Sequence, residues 1–291
     1  MNAASPNASQ TARQRARAEL TREIKEAARR QLAETGAPQL SLRAVARELG
    51  LVSSALYRYF PSRDDLLTAL IIDAYDSLGE AAEAAAAANG TAGPRSGWRA
   101  VCHAVRDWAR ANPHEYALIY GSPVPGYQAP RDTVGPAARV PLVLGRLVRD
   151  SWAIQSASPA APAGGAGRAS AGAAGAVFPA SDAARRRSAK EREGKAGRPT
   201  GGLARASKHC PPAALREQMS TVLAAQAAIV AGAIAPGVPE PVIVRVLIAW
   251  TQLFGMISFE LFGQFVGSAD PADDFFGYAI EQMIAYIPII G

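Results

Sequence analysis

The chain has 291 residues, of which 49% are hydrophobic, so it can bury more than the core of one average domain. Its two cysteines, Cys102 and Cys210, exclude a disulfide framework and stand in no metal-binding motif. The net charge of +6 is uneven: +4 up to Asp65, zero from 66 to 154, +7 from 155 to 209 and −5 from Cys210 onward. The total charge therefore does not by itself indicate a nucleic-acid partner, because its position along the chain decides which surface is basic.

The N-terminal part of the chain predicts a succession of helices. Residues 1–12 lack the apolar core of a signal peptide and are expected to be disordered, which favours a cytoplasmic protein. Amphipathic periodicity begins near Arg13, and Gly36 ends it. Ser41 is placed to cap a short helix that Gly50 closes. The predicted helices span residues 13–35, 42–49, 53–59 and 63–78.

Helical periodicity continues through most of the remaining chain. It is found in residues 98–112, 113–120, 134–152, 213–233, 240–265 and 273–286. Between them, residues 121–130 form a loop rich in Pro and Gly. No segment alternates with a period of two over a useful length, so the predicted fold is all-α.

Residues 155–209 form a low-complexity segment of Ala, Gly, Ser, Pro and Arg. With almost no large apolar side chains, it cannot offset the entropy of ordering, and we predict a disordered insert. Two roles stay open for it, a solvated linker or a source of non-specific DNA affinity through basic clusters such as 185–187.

An unusually apolar stretch runs from Val242 to Val266. Its length would cross a membrane, but Arg245, Gln252 and Glu260 interrupt it. We therefore expect a helix buried in the core or in a subunit interface, and no membrane partner.

Two short helices joined by a turn at Gly50, and preceded by an amphipathic helix, are typical of a helix-turn-helix. In such a motif the second helix enters the major groove, its first residues face base edges, and nearby polar groups contact phosphates. Leu56 and Phe60 are expected to point into the three-helix core. The alternative is a helical hairpin whose Tyr and Arg side chains simply cover the surface.

The residues from Ser41 to Leu67 closely resemble the DNA-binding domain of TetR-family transcriptional regulators. They read Ser-Leu-Arg-Ala-Val-Ala from Ser41, and Glu-Leu-Gly-Leu-Val-Ser-Ser-Ala-Leu-Tyr-Arg-Tyr-Phe-Pro-Ser-Arg-Asp-Asp-Leu-Leu from Glu48. The resemblance covers roughly residues 18–78. It implies that Ser53–Tyr59 is the recognition helix of a domain spanning residues 13–78.

The resemblance also implies a set of residues that contact DNA. These are Ser41, Arg43, Ser53, Ser54, Ala55, Tyr57, Arg58, Tyr59 and Arg63. Of these, Tyr57, Tyr59 and Arg63 are expected to hold phosphates. One residue departs from the family pattern, since Val52 stands where many members have a Ser or Thr that caps the recognition helix. We expect Ser53 to take over that cap.

Two later segments resemble one type of TetR-family C-terminal domain, which is named for a Trp followed by His-Gly. The segments run from Asn112 to Tyr127 and from Ala249 to Gly263. Here Trp250 and Gly255 are present, but Phe254 replaces the His, so no role of that His is transferred. The expected effector-binding and dimerisation domain comprises residues 79–154 and 210–291.

The family architecture implies a homodimer in which the last two helices of each chain form a four-helix bundle. The apolar stretch supports this, because small residues within it allow close helix approach. The predicted interface residues are Trp250, Gly255, Ser258, Phe259, Phe262 and Gly263. Such a dimer would place two recognition helices on a palindromic double-stranded operator.

TetR-type regulators usually hold a small effector between their middle helices. The candidates here are Trp98, Trp108, Tyr116, Tyr120, Tyr127 and Trp152. Aromatic residues at helical spacing are also typical of an ordinary core, so both interpretations stay open. Glu260 is either a polar anchor for the ligand or a hydrogen-bonding residue of the dimer interface.

The sequence contains no nucleophile, metal-protease, phosphate-loop or paired-carboxylate motif, so we expect no enzyme activity and no cofactor. His103, His114 and His209 lack the spacing of metal ligands. The favoured hypothesis is a repressor that a small hydrophobic effector releases from DNA. The alternatives are an activator or architectural factor without an effector, and an enzyme or carrier with a vestigial helix-turn-helix.

Overall fold

The structure, a computed structural model, describes residues 6–157, 219–287 and 289–290. The regular structure of these residues is helical, without a strand, which agrees with the all-α prediction. The helices are α1 (Pro6–Thr35), α2 (Leu42–Glu48), α3 (Ser53–Leu56), α4 (Arg63–Ala88), α5 (Gly93–Ala111), α6 (Pro113–Tyr120), α7 (Val134–Ala157), α8 (Thr221–Ile234), α9 (Glu240–Leu261) and α10 (Asp273–Tyr286).

Helices α1 and α7 each extend past a predicted segment boundary. Helix α1 begins at Pro6, well before the predicted start near Arg13, so residues 6–12 are helical and not disordered. Proline is favoured in a first helical turn, and the Ala, Gln and Arg residues that follow have good helix propensity. Helix α7 continues through residue 157, so residues 155–157 of the predicted insert are helical. The rest of that prediction, 158–209, lies outside the described residues.

The first core joins helices α1 to α4. Each of the four helices contributes apolar side chains with little or no exposure, among them Ile24, Val45, Leu56 and Leu67. Leu56 and Phe60 are both buried there, as their spacing predicts. This core fixes the two short helices on α1 and α4.

A second and larger core joins α5, α7, α8, α9 and α10 to the middle of α4. Helix α4 supplies Leu67 and Leu70 to the first core, then Ala74 and Leu78 to the second. Helices α7 and α8 approach closely at Gly145, where a Cβ atom would lie 2.3 Å from the carbonyl oxygen of Ile234. A single continuous helix therefore carries both cores.

Among the described helices, α9 is the one long and apolar enough to span a membrane, and 44% of its most apolar window is buried inside the protein. Ile243, Leu253 and Ile257 pack into the second core, whereas Ile248 and Phe259 are exposed on another face. One side of α9 therefore belongs to the core. The helix ends at Leu261, before the predicted end at Phe265.

Candidate DNA-binding and effector sites

The helix-turn-helix is built from local caps and one tight turn. The Ser41 hydroxyl accepts a hydrogen bond from the backbone N–H of Ala44, which caps α2 as predicted. Gly50 has a φ of +67°, a conformation that costs glycine little. The next N–H, that of Leu51, donates to the carbonyl of Ala46 at 2.8 Å and closes the C-terminal end of α2.

The recognition segment is a shorter helix than predicted. Regular α-helix covers Ser53–Leu56, and turns then carry the chain to Phe60, whose N–H donates to the Leu56 carbonyl at 3.1 Å. Pro61 follows, and a proline disfavours helical geometry in the residue before it. The predicted end at Tyr59 therefore corresponds to a turn that prolongs α3.

The start of α3 has no side-chain cap. Val52 occupies the cap position with 71% of its surface exposed, and its side chain has no group that could accept a hydrogen bond. The prediction that Ser53 takes over the cap is wrong, because Ser53 is already the first helical residue. Within the described part of the chain, no hydrogen bond occupies the hydroxyls of Ser53 and Ser54.

Four of the predicted DNA-binding residues line one open cleft of about 440 Å³ between α2 and the start of α4. They are Ser41, Arg43, Tyr57 and Arg63. Arg43 and Tyr57 are exposed beside it, and Arg58 is exposed on the adjoining turn. Ser53, Ala55 and Tyr59 are partly exposed on the same segment. The structure therefore brings Ser41, Arg43, Tyr57 and Arg63 together in one cleft, and the other predicted residues lie on the adjoining α3 segment.

Arg63 is engaged within the protein. Its guanidinium donates to the carbonyls of Ala37 at 2.8 Å, Pro38 at 3.3 Å and Leu40 at 3.2 Å. These bonds hold the connection before α2 against the start of α4. Arg63 therefore supports the cleft through Nε and Nη2, while its Nη1 lies 3.5 Å from the Asp64 carboxylate. Its role as a phosphate clamp stays a prediction.

Most of the aromatic effector candidates are core residues. Trp98, Trp108 and Tyr116 are buried, and Trp108 donates its indole N–H to the Ser77 hydroxyl at 2.9 Å. Tyr120 and Trp152 are partly buried against the same core. Sequence periodicity could not separate core from ligand contact, because both use the inward face of a helix.

Tyr116 and Tyr120 belong to a ring cluster with residues of α9. The Tyr120 and Phe254 ring centroids are 4.2 Å apart, and those of Trp250 and Phe254 are 4.4 Å apart. The Tyr116 hydroxyl donates to the Phe254 carbonyl at 2.9 Å and lies 2.8 Å from the Ser258 hydroxyl. Burial raises the pKa of both tyrosines, which keeps the two hydroxyls protonated. Trp250 and Ser258, predicted at the dimer interface, thus make contacts inside one chain.

A separate cavity of about 630 Å³ lies between α4, α6, the start of α7 and the 121–130 loop. Its lining is mostly aliphatic, with the rings of Tyr75 and Tyr127 and the side chain of Thr133. The Tyr127 hydroxyl is 2.9 Å from that of Thr68 on α4. Of the predicted effector residues, Tyr127 lines this cavity. Tyr75 was not predicted, because the loop that covers it is distant in sequence.

Glu260 is held by an arginine that the sequence did not single out. Arg106 of α5 donates to both Glu260 carboxylate oxygens at 2.7 Å and to Asp273 at 2.9 Å, with 4% of its side chain exposed. Its guanidinium also lies 4.7 Å from the ring centre of Phe276. The hydrogen bond from Glu260 raises the pKa of Arg106, and Arg106 lowers the pKa of Asp273. Glu260 is thus an ion-pair partner within the chain, which corrects both predicted roles.

The remaining interface candidates lie at the exposed end of α9. Phe259 and Phe262 are 53% and 49% exposed, although both are large apolar residues. Gly255 has open space where a side chain would extend. Gly263, with a φ of +75°, turns the chain away after α9. Exposed aromatic residues of α10, among them Tyr278, extend this apolar surface.

The described residues form a helix-turn-helix on one core, which a single helix joins to a larger helical core. This arrangement is typical of DNA-binding regulators. Residues 24–70 match the family described as bacterial regulatory proteins, tetR family. Residues 98–189 and 199–283 match the tetracyclin repressor-like C-terminal domain. The chain belongs to the TetR family of transcriptional regulators.

Relatives with known names agree with this membership. The HTH-type transcriptional regulators Mb1846 of Mycobacterium bovis and Rv1816 of Mycobacterium tuberculosis are each 50% identical over 129 residues, which are 44% of this chain and 55% of theirs. The chain thus spans about half the length of these curated relatives. A solved structure described as a regulatory protein, SCO4313, is similar over 93% of this chain and 98% of its own, with a TM-score of 0.60 and 28% identity. The family match and these relatives confirm the prediction of a DNA-binding transcriptional regulator.

Proposed function

We propose that the chain is a homodimeric repressor that binds a palindromic operator and is released by a small hydrophobic effector. The observation that carries the DNA-binding part is the shared cleft of Ser41, Arg43, Tyr57 and Arg63 beside the exposed first turn of α3. A phosphate in this cleft would meet hydroxyl and guanidinium donors, while Val52, Ser53 and Ser54 face base edges. This arrangement suits a duplex better than a ligand enclosed by protein.

Removal of the Tyr57 hydroxyl tests the phosphate contact. We expect Tyr57→Phe to weaken operator binding by roughly 1–3 kcal/mol, because the phosphate then loses the Tyr57 hydroxyl as the donor of a charge-assisted hydrogen bond. The operator is first obtained by genome-wide binding-site selection with the full chain, and affinity is measured by fluorescence anisotropy at fixed salt. Arg149→Gln, at an exposed position on α7, is the control and should bind the operator like the wild type. Equal affinity of Tyr57→Phe and the wild type would argue against the assigned surface.

The proposed dimer interface is the exposed apolar surface at the end of α9 and on α10. Phe259, Phe262 and Tyr278 expose large apolar areas there, whereas the opposite sides of both helices are buried in the core. A self-complementary contact across this surface gives a two-fold dimer, as a palindromic operator requires. The cytoplasm, where such an operator is found, is the proposed location.

The proposed effector site is the cavity of about 630 Å³ beside α4. Its size and aliphatic lining suit a small apolar molecule, with the hydroxyls of Tyr75, Tyr127 and Thr133 as polar groups. Tyr127 and Val124 of the loop also pack against the first core, and α4 leads directly from the recognition segment. A ligand that fits the cavity in one arrangement of α4 better than in another would change the spacing of the recognition helices.

A variant that fills the cavity distinguishes the hypothesis of an effector-responsive repressor from that of a regulator without an effector. We expect a thermal-shift screen of apolar compounds to yield at least one that stabilises the wild type and releases operator DNA. Ala137→Phe, which places a ring in the cavity, should lose that response and still bind the operator. Ala153→Phe, on an exposed part of the same helix, is the control and should respond like the wild type. A response that survives in Ala137→Phe would place the effector elsewhere.

A further inference from the structure

Residues 11–17 of α1 are exposed, and their charged side chains are all basic. Residues 1–18 contain Arg13, Arg15 and Arg17 but no acidic residue. Every side chain from 11 to 19 is exposed, and the first core residue of the helix is Ile24. We call residues 6–17 the basic extension. Since residues 11–17 bury no face in either core, packing within the protein does not account for this part of the sequence.

The charges of the basic extension differ from those further along α1. Arg22 pairs with Glu19 and Glu26, and Lys25 with Asp73 at 2.8 Å. In contrast, no carboxylate of the described residues forms an ion pair with Arg13, Arg15 or Arg17. The basic extension therefore presents uncompensated positive charge to solvent.

The extension starts at the edge of the proposed DNA-binding surface. The guanidinium of Arg17 lies over the Tyr59 ring, 5.1 Å from its centre, on the turn that follows α3. Arg13 precedes Arg17 by four residues and so occupies the same side of the helix, one turn further out. A positive strip thus continues outward from Tyr59 and the neighbouring Arg58.

We propose that the basic extension binds DNA phosphates outside the half-site that α3 occupies. The proposal rests on the proposed function, since it needs the recognition segment to be seated on DNA. Alanine is the largest apolar residue between Asn7 and Arg17, which argues against a membrane surface or an apolar protein groove as the partner. From Pro6 to Arg17 the helix is about 18 Å long at 1.5 Å per residue, which equals roughly five base pairs.

The test measures operator affinity of the full chain as the DNA outside the half-sites is lengthened one base pair at a time, at several salt concentrations. For the wild type we expect affinity to rise until roughly five flanking base pairs are present on each side and then to level off. For R13Q/R17Q we expect no rise with flank length. Its plot of log affinity against log salt should be shallower by roughly 0.9 for each phosphate that the variant no longer neutralises.

The matched control is R146Q/R149Q, which removes the same charge from exposed positions on α7. It should keep the wild-type salt slope and flank dependence. The proposal is overturned if R13Q/R17Q keeps the wild-type salt slope, or if the salt slopes of both double variants fall equally. If the proposed function is wrong, the wild type selects no operator, which is a different result. The salt slopes of binding to a non-specific duplex then still decide whether the extension contacts phosphates.

Discussion

Arg63 bonds to the protein backbone beside the proposed DNA-binding surface. Three carbonyls, those of Ala37, Pro38 and Leu40, accept its hydrogen bonds, so the side chain ties α4 to the connection before α2. The exposed Arg58, one turn away, makes no such contact among the described residues. Arg63 therefore supports the proposed DNA-binding surface, whereas Arg58 lies on it.

We expect Arg63→Gln to lower both the free energy of unfolding and operator affinity. The loss of stability should be about 1–3 kcal/mol, because carbonyls that are partly buried lose a charged donor. Arg58→Gln is the matched control, with lower affinity and unchanged stability. Urea unfolding and fluorescence anisotropy measure the two quantities. If Arg63→Gln unfolds like the wild type, the side chain is not a structural support.

At the scale of single residues, the sequence predicted which residues belong to the core or to the proposed site better than it predicted which atoms they contact. The resemblance placed Arg63 in the DNA-binding set, and the spacing placed Leu56 and Phe60 in the core, where the structure has them. The sequence could not show which atoms Arg63 contacts, because the accepting carbonyls lie in an irregular connection whose path depends on packing. The uncapped start of α3 at Val52 likewise becomes visible only when the helix boundary is known.

At the scale of helices, Arg106 joins three elements of the C-terminal domain. From α5 it reaches Glu260 on α9 and Asp273 on α10. Arg110, one turn along α5, is half exposed and stays 3.6 Å or more from the same carboxylates. The buried and the exposed arginine thus share partners but differ in their solvent screening.

Arg106→Gln is expected to destabilise the chain by about 3–5 kcal/mol, because Glu260 then keeps its charge with little exposure and without its main partner. Arg110→Gln should cost less than about 1 kcal/mol, as is usual for exposed ion pairs. Chemical unfolding of both variants measures this, and addition of Glu260→Gln to Arg106→Gln should recover part of the loss. Similar losses for Arg106→Gln and Arg110→Gln would contradict the role of burial.

At the scale of the whole molecule, one apolar surface is covered by no neighbour within the described part of the chain. Phe259 and Phe262 end one side of α9, and Tyr278 is exposed on α10. Exposed aromatic residues in such a contiguous group are unusual for a monomer and typical of interfaces. The predicted residues with high exposure, Phe259 and Phe262, fit this surface better than Trp250 and Ser258, which contact their own chain.

We expect the double variant Phe259→Glu/Tyr278→Glu to sediment as a monomer, because two charges would be buried in each half of the interface. Operator affinity should fall with it, since the two half-sites are no longer bound by one linked pair of domains. Leu142→Glu, at an exposed apolar position on α7, is the control and should remain a dimer. A dimeric double variant with wild-type affinity would show that another surface holds the subunits together.

The sequence by itself determined the helices, the helix-turn-helix and the family. Periodicity, caps and turn residues act over a few positions, and the block from Ser41 to Leu67 contains all that its motif needs. Only the tertiary structure decided that Glu260 meets Arg106, 154 positions earlier, and that Tyr127 closes a cavity against α4. The physical reason is that a helical pattern states which face of a helix is buried, whereas the partner of each buried group depends on how all the helices pack together.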